Sequence, residues 1–308
     1  MMNCDVAVVG EIYVDHIFTG FGVWPQPGEE VFTREYKREI GGGATNTACA
    51  LARLGRTVTL VGVIGSADAG WFERRLREFG VSSDDLEKTD GDTGVTVSVS
   101  MLDDRSFFSY VGENEKLMSM LGSEKTLASL QHARHVHFAM PLARELALHL
   151  LSRLRAAGCT TSLDVGFSPV WLRAASSLDI CRATDYLLPN EKEASLLCGG
   201  DAADYIPFAR HSGLRQAVVK LGSRGAAMLA GGAEYSVASP PVDVVDTTGA
   251  GDAFDAGFID ALLDRSDPED CLRRACICGA LSTRAAGALS ALPLREELEN
   301  IYEQTYTS

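Results

Sequence analysis

No CxxC pair occurs among the eight cysteines, which are scattered from Cys4 to Cys278 beside mostly apolar neighbours. In a chain of 308 residues that spacing fits a disulfide framework poorly. No apolar stretch approaches the ~20 residues needed to span a bilayer. The opening MMNCDVAVVGEIYVDHIF has no basic stretch, and Asp5 precedes its first apolar run. We therefore expect no secretory signal and a reduced, cytoplasmic protein. No GxxxxGK[ST] is present, which excludes a Walker-type phosphate loop. The Rossmann glycine fingerprint is missing after the first apolar run, which argues against a dehydrogenase. Positive charge is scarce: 28 Lys and Arg stand against 42 Asp and Glu, a net charge of −14. Such a surface repels phosphate backbones and anionic lipid, so neither nucleic acid nor a membrane is expected as a partner. There is no internal repeat, low-complexity tract or linker. A 46% hydrophobic and 23% charged composition is that of a globular protein and excludes disorder.

Alternating strand and helix signals fill most of the chain. Asp5–Val9 is a short apolar run ending at Gly10, the pattern of a strand buried on both faces of a parallel sheet. Residues 57–65 repeat it. Residues 68–79 read as a helix ended by Gly80. From residue 133 onward, HVHFA, TTSLDV, DYLLP, AVVKLG and AAMLA are candidate strands. Helical spacing covers 142–157, 190–198, 249–263 and 268–286, the last opened by Asp267-Pro268. The pattern predicts a single α/β domain: a doubly wound, mostly parallel sheet flanked by helices, with ligands at the C-terminal ends of its strands. Two segments do not fit the sheet. Residues 11–40 are rich in Gly, Pro, charge and aromatics, and 93–111 alternate with period two around an Asp103-Asp104 turn. Together they predict a small β-sheet lid.

Asp246-Thr247-Thr248-Gly249-Ala250-Gly251-Asp252 is the strongest chemical signal. It is expected between a strand, VDVV, and the helix AFDAGFIDALL. Gly249 and Gly251 allow successive backbone N–H groups to point one way at the positive end of that helix, an anion site. Asp252 in the first turn can act as a general base beside it. Transfer of a phosphoryl group to a hydroxyl needs that pairing. A Gly-rich turn with Asp as helix-start decoration is the bland alternative.

DTTGAGDAFDAGF resembles the C-terminal signature of ribokinase-like (PfkB-type) carbohydrate kinases. Gly41-Gly42-Gly43-Ala44-Thr45-Asn46 resembles their N-terminal signature, and 10–17 with 27–29 resemble their first strand and lid. The resemblance implies the ribokinase-like fold and an ATP-dependent kinase acting on a primary alcohol. It implies Asp252 as catalytic base and the amides of Gly249, Ala250, Gly251 and Asp252 as anion hole. It places Asp15, Gly42 and Asn46 on the sugar, with Gly43 beside them. The Phe107-Phe108-Tyr110 run reads first as lid packing, and a nucleoside base could stack on Tyr13 or Phe108. Nucleotide is implied near Asn190, Lys220, Gly222, Ser223 and Gly225. Asn190 and Glu193 match a motif that organises Mg²⁺ through water, although the same spacing is that of a helix capping box. Asp246 and Thr248 match a K⁺ position, with residues 284–291 expected opposite.

Other signals carry less. His132, His135 and His137 read as packing or surface histidines, because metal sites recruit further partners. Cys276 and Cys278 face apart on a helix. Tyr13, Gly43 and the stretch 137–141 depart from the ribokinase pattern, and Asp164 alone survives of a motif found in fructokinases and ketodeoxygluconate kinases. A sugar or a nucleoside therefore remains open as the acceptor, as does a non-catalytic sensing role. The half-apolar hairpin at 93–102 also suggests a homodimer through the lid.

Overall fold

Val6, Val8 and Val9 are fully buried because the strand Cys4–Gly10 has parallel neighbours on both sides, Val58–Gly65 and Ala133–Ala139. Alternate residues feed opposite layers. Ala7 and Val9 join a cluster with Leu150 and Leu154, whereas Val6 and Val8 join Ala44, Leu51, Phe72 and Ala256. Helices thus cover both faces, as continuous apolar strands require. The computed structural model describes residues 4–100 and 105–306, so the expected Asp103-Asp104 turn lies outside the described residues.

From one edge the sheet runs Ala233–Val237, Ala226–Ala230, Gln216–Lys220, Tyr186–Leu187, Thr160–Leu163, Ala133–Ala139, Cys4–Gly10, Val58–Gly65, Val81–Ser82. Leu86–Thr89 also pairs with Val58–Gly65. The first two strands are antiparallel additions to an otherwise parallel sheet. Gly80 ends the helix Ser66–Phe79 in a left-handed conformation, and the Asp267 side chain caps the helix Pro268–Ser282, both as the sequence predicts. That last helix stops at Ser282, four residues before the expected end.

VDVV is not a strand. Val244 and Val245 are 60% and 63% exposed. The N–H groups of Val245 and Asp246 donate to Thr283 O instead of to a sheet. β-branched composition alone had no ladder to join there.

A second sheet has the order Glu35–Gly41, Tyr13–Thr19, Gly94–Ser100, Arg105–Tyr110. It draws on the two segments that did not fit the main sheet. Its register puts Asp15, Glu39, Thr96 and Ser109 on one face. His16, Arg38, Val97 and Phe108 occupy the other.

Candidate active site

Two helix N-termini meet over the C-terminal end of the strand Cys4–Gly10. The helix Gly43–Arg53 follows Gly42, whose φ of 94° presses its Cα against the Glu11 carbonyl, a place without room for Cβ. The helix Ala250–Leu263 follows Gly249, whose φ is 74° and whose Cβ would lie 2.5 Å from Ala288 Cβ. Asn46 Nδ2 donates to Asp252 Oδ2 at 2.8 Å, tying the two first turns together. A side chain at Gly43 would begin 3.3 Å from Asp252 Oδ1. Burial pushes the Asp252 carboxyl up to about 7; the Asn46 bond opposes this, and the charge of Asp164 adds to it.

Asp252 borders a cavity of about 1170 Å³. Gly43, Asn190, Glu193, Lys220, Gly222, Ser223, Gly225, Gly249, Ala250 and Gly251 line it too. Pro240, Val242, Phe254, Cys276 and Ala280 add apolar lining. Asn46 adjoins the cavity through Asp252, and Gly42 through Gly43. Asp15 is pushed up to about 7 by burial and by the nearby charges of Asp252 and Glu39. Its carboxylate lies directly over Gly41, where a Cβ would collide with it.

Three expectations need correction or refinement. Phe108 sits on the sheet face opposite Asp15, stacks on Trp24 with ring centroids 6.3 Å apart, and is 56% exposed. It does not reach the cavity, because register places alternate residues on opposite faces; Phe107 shares the Asp15 side. Tyr13 donates its hydroxyl to Glu11 Oε2 at 2.7 Å, so Glu11, unremarked in the sequence, orients that ring. Lys220 lines the cavity, but its Nζ is held by Asp164 Oδ2 at 2.5 Å and Asp255 Oδ1 at 3.0 Å. Against the effect of burial, those carboxylates hold its ammonium charged, and it stands 3.4 Å from where a Gly251 side chain would begin.

Asp164 and Asp255 thus belong to the site. The signal for Asp255 was present: a carboxylate inside the apolar run AFDAGF needs a cation, and Lys220 ends a buried strand.

Asn190 and Glu193 form the full capping box of the helix Glu191–Cys198. Asn190 Oδ1 accepts from Glu193 N at 3.0 Å, and Glu193 Oε2 accepts from Asn190 N at 2.9 Å. Glu193 Oε1 accepts from Asn190 Nδ2 at 2.6 Å. Burial and the charge of Asp164 push the Glu193 carboxyl up to about 7. Asp246 Oδ1 accepts from Thr248 N and Oγ1, and its Oδ2 accepts from Gly287 N at 2.8 Å, which brings the 284–291 loop alongside. His135 and His137 are buried; Ser162 Oγ lies 2.7 Å from a nitrogen of each. Burial lowers them to about 3 and about 4, which keeps both neutral. Among the described residues no three His, Cys, Asp or Glu side chains converge as a metal cage.

Residues 3–295 match the family described as pfkB family carbohydrate kinase. The 2-dehydro-3-deoxygluconokinase of Bacillus subtilis (strain 168) is 28% identical over 85% of this chain and 86% of its own length. The ATP-dependent ribose-1-phosphate kinase of Halopiger xanaduensis is 32% identical over 87% of this chain and 88% of its own. The structure of Arabidopsis thaliana ribokinase complexed with ribose and ATP superimposes with a TM-score of 0.84 at 26% identity, covering 97% of this chain and 99% of that one.

Proposed function

The chain belongs to the pfkB family of carbohydrate kinases, and from that premise we propose that it transfers the γ-phosphate of ATP to the hydroxymethyl group of a sugar with Asp252 as general base. The observation that carries this reading is the Asp252 carboxylate beside the first-turn amides of one helix, held by Asn46 from another. Asp252 accepts the proton of the acceptor hydroxyl. The hydroxyl oxygen bonds to the γ-phosphorus as the bond to the β-γ bridging oxygen breaks, and ADP leaves. The amides of Gly249, Gly251 and Asp252 face the charge on the transferring group, while the Ala250 N–H, expected to join them, donates to Thr247 O at 3.2 Å. Asp15, Gly42, Gly43 and Asn46 surround the acceptor. The apolar part of the cavity lining takes the base of the nucleotide, and Gly222, Ser223 and Gly225 line the same cavity.

Magnesium, bound with the nucleotide, offsets phosphate charge. Both Glu193 oxygens are held by Asn190, a donor set that suits an ion liganded by phosphates and water rather than by a protein cage. Asp246, Thr248 and the Gly287 loop form the candidate K⁺ position. The small sheet acts as a lid whose closure over the acceptor excludes water.

A nucleoside carries the same hydroxymethyl group on its ribose and suits the same chemistry. A purely sensing role has less support, because the chain keeps Asp252, Gly249, Gly251, Asn190 and Glu193, which a decayed enzyme would be expected to lose in part. Two further readings complete the proposal. Phe18, Tyr36, Val97 and Phe108 on the outer face of the lid support a homodimer there. All eight cysteines are free thiols, which supports a reducing, cytoplasmic setting, and among the described residues no helix is long and apolar enough to cross a membrane.

The test is ADP release from Mg·ATP with a panel of sugars and nucleosides, each with and without K⁺. Acceptor-dependent release supports the proposal. ATP binding with silence across the panel moves weight to the sensing role.

A further inference from the structure

The chain passes between the two sheets four times, at residues 11–12, 42, 92–93 and 111–112. Three of these crossings meet at one side chain. Asn114 Oδ1 accepts from Ile12 N at 2.9 Å, and Asn114 Nδ2 donates to Ile12 O at 2.9 Å and to Val111 O at 3.0 Å. Gly94, just past the third crossing, comes so close that a Cβ there would lie 2.4 Å from Asn114 Nδ2. The neighbouring Glu113 N donates to Asp92 O at 2.9 Å. Ile12 is fully buried and lies outside both ladders, between the strands Cys4–Gly10 and Tyr13–Thr19. A buried N–H and C=O need partners. A carboxamide carries a donor and an acceptor side by side and serves both, as a neighbouring strand would. Asn114 is itself buried, in the turn Gly112–Lys116. Leu117 and Leu121, which follow that turn, pack in the core with Val9, Val61 and Val63. The amide is thus anchored on the main sheet and grips the chain where it enters and leaves the small one.

We propose that Asn114 is a positioning residue for the acceptor: its carboxamide is the fixed block on which the small sheet pivots, and it sets where Asp15 stands relative to Asp252. The inference rests on the kinase reading and deepens it. The path from Asn114 to Asp15 is short. Ile12 precedes Tyr13, which pairs with both Gly41 and Gly94. Asp15 follows two residues along the same strand, on the same face. Its carboxylate stands over Gly41, close enough to Asp252 for the two charges to act on each other. A moving element turns on a few residues at its ends. One amide that ties three of the four crossings makes the strands of the small sheet move as one body. Glu11, which lines the cavity, is the residue before Ile12 and is held by the same grip.

Two variants of the full chain test this. Asn114→Ala removes the amide, and Gly94→Ala keeps it but pushes it aside. With the best acceptor of the panel, the acceptor KM is expected to rise about tenfold or more in both, while ATP affinity by calorimetry stays within about twofold. A larger share of the ADP is expected to come from hydrolysis, because a misplaced lid admits water to the γ-phosphate. Amide hydrogen exchange is expected to speed up along Tyr13–Thr19 and Gly94–Ser100 and to stay unchanged along Ala250–Leu263. A merely structural turn would speed exchange at 111–116 alone and leave the KM and the hydrolysed share unmoved; that result overturns the inference. Should neither variant fold, the unsubstituted protein decides. Its Ile12 amide is expected to exchange as slowly as those of Cys4–Gly10, and exchange at the rate of an exposed loop overturns the inference. Silence of the whole panel counts against the kinase reading instead, and the exchange pattern then tests Asn114 without turnover.

Discussion

At the scale of single residues, the proposed mechanism turns on the ionisation of Asp252. Burial lifts its carboxyl to about 7, and a general base acts only when ionised. The acceptor-dependent kcat/KM is therefore expected to rise with pH, tenfold per unit, up to about 7 and then level. Asn46 donates to the ionised form and lowers that value. Asn46→Ala removes the donor, so the rising limb is expected to move to higher pH, by roughly one unit. A pH profile of kcat/KM checks this; an unmoved limb would show that another group controls it. The grouping of Gly249, Gly251 and Asp252 was legible in the sequence, because they share one helix N-terminus whose backbone geometry a short-range motif encodes. Lys220 was legible only as a neighbour of the nucleotide. Its true partners lie 56 and 35 residues away in the chain, and no local pattern records that meeting.

At the scale of elements, Asn190 and Glu193 show how one spacing serves two purposes. The capping box is formed in full at the start of the helix Glu191–Cys198, which settles the cap and leaves the magnesium role to experiment. Asn190→Ala is expected to cost about 1 kcal/mol of stability through the lost cap. If the pair also organises the metal, the same change raises the Mg²⁺ concentration needed for half-maximal turnover. Denaturant melts and Mg²⁺ titrations separate the two: a stability loss without any shift in the Mg²⁺ dependence would confine the pair to capping. Strand periodicity found the central sheet because Cys4–Gly10 and Val58–Gly65 are buried on both faces. It misplaced VDVV, whose valines lie exposed while its backbone bonds to Thr283. Composition recorded the β-branched residues and not the missing ladder.

At the scale of the whole molecule, the second sheet presents two unlike faces. Asp15 and Glu39 look toward the site, and Phe18, Tyr36 and Phe108 look away from it. The sequence located the sheet through its alternation, but it did not tell which aromatic belonged to which face. Only the pairing of Val97 with Phe108, and of Ser98 with Phe107, does so. The outer face predicts that the protein runs at twice its chain mass in light scattering. Phe108→Asp is expected to return it to the single-chain mass, since a carboxylate buried at an interface without a partner is strongly unfavourable. A single-chain mass for the unsubstituted protein would contradict the lid dimer.

The central claim is that Asp252 takes the proton in a phosphoryl transfer, and one comparison tests it most directly. ADP release and ATP binding are measured side by side for the unsubstituted protein and Asp252→Asn, with the best acceptor of the panel. The account predicts that kcat falls by about 100-fold or more, while ATP affinity stays within a few fold. Comparable turnover in Asp252→Asn, with the fold intact, would contradict it.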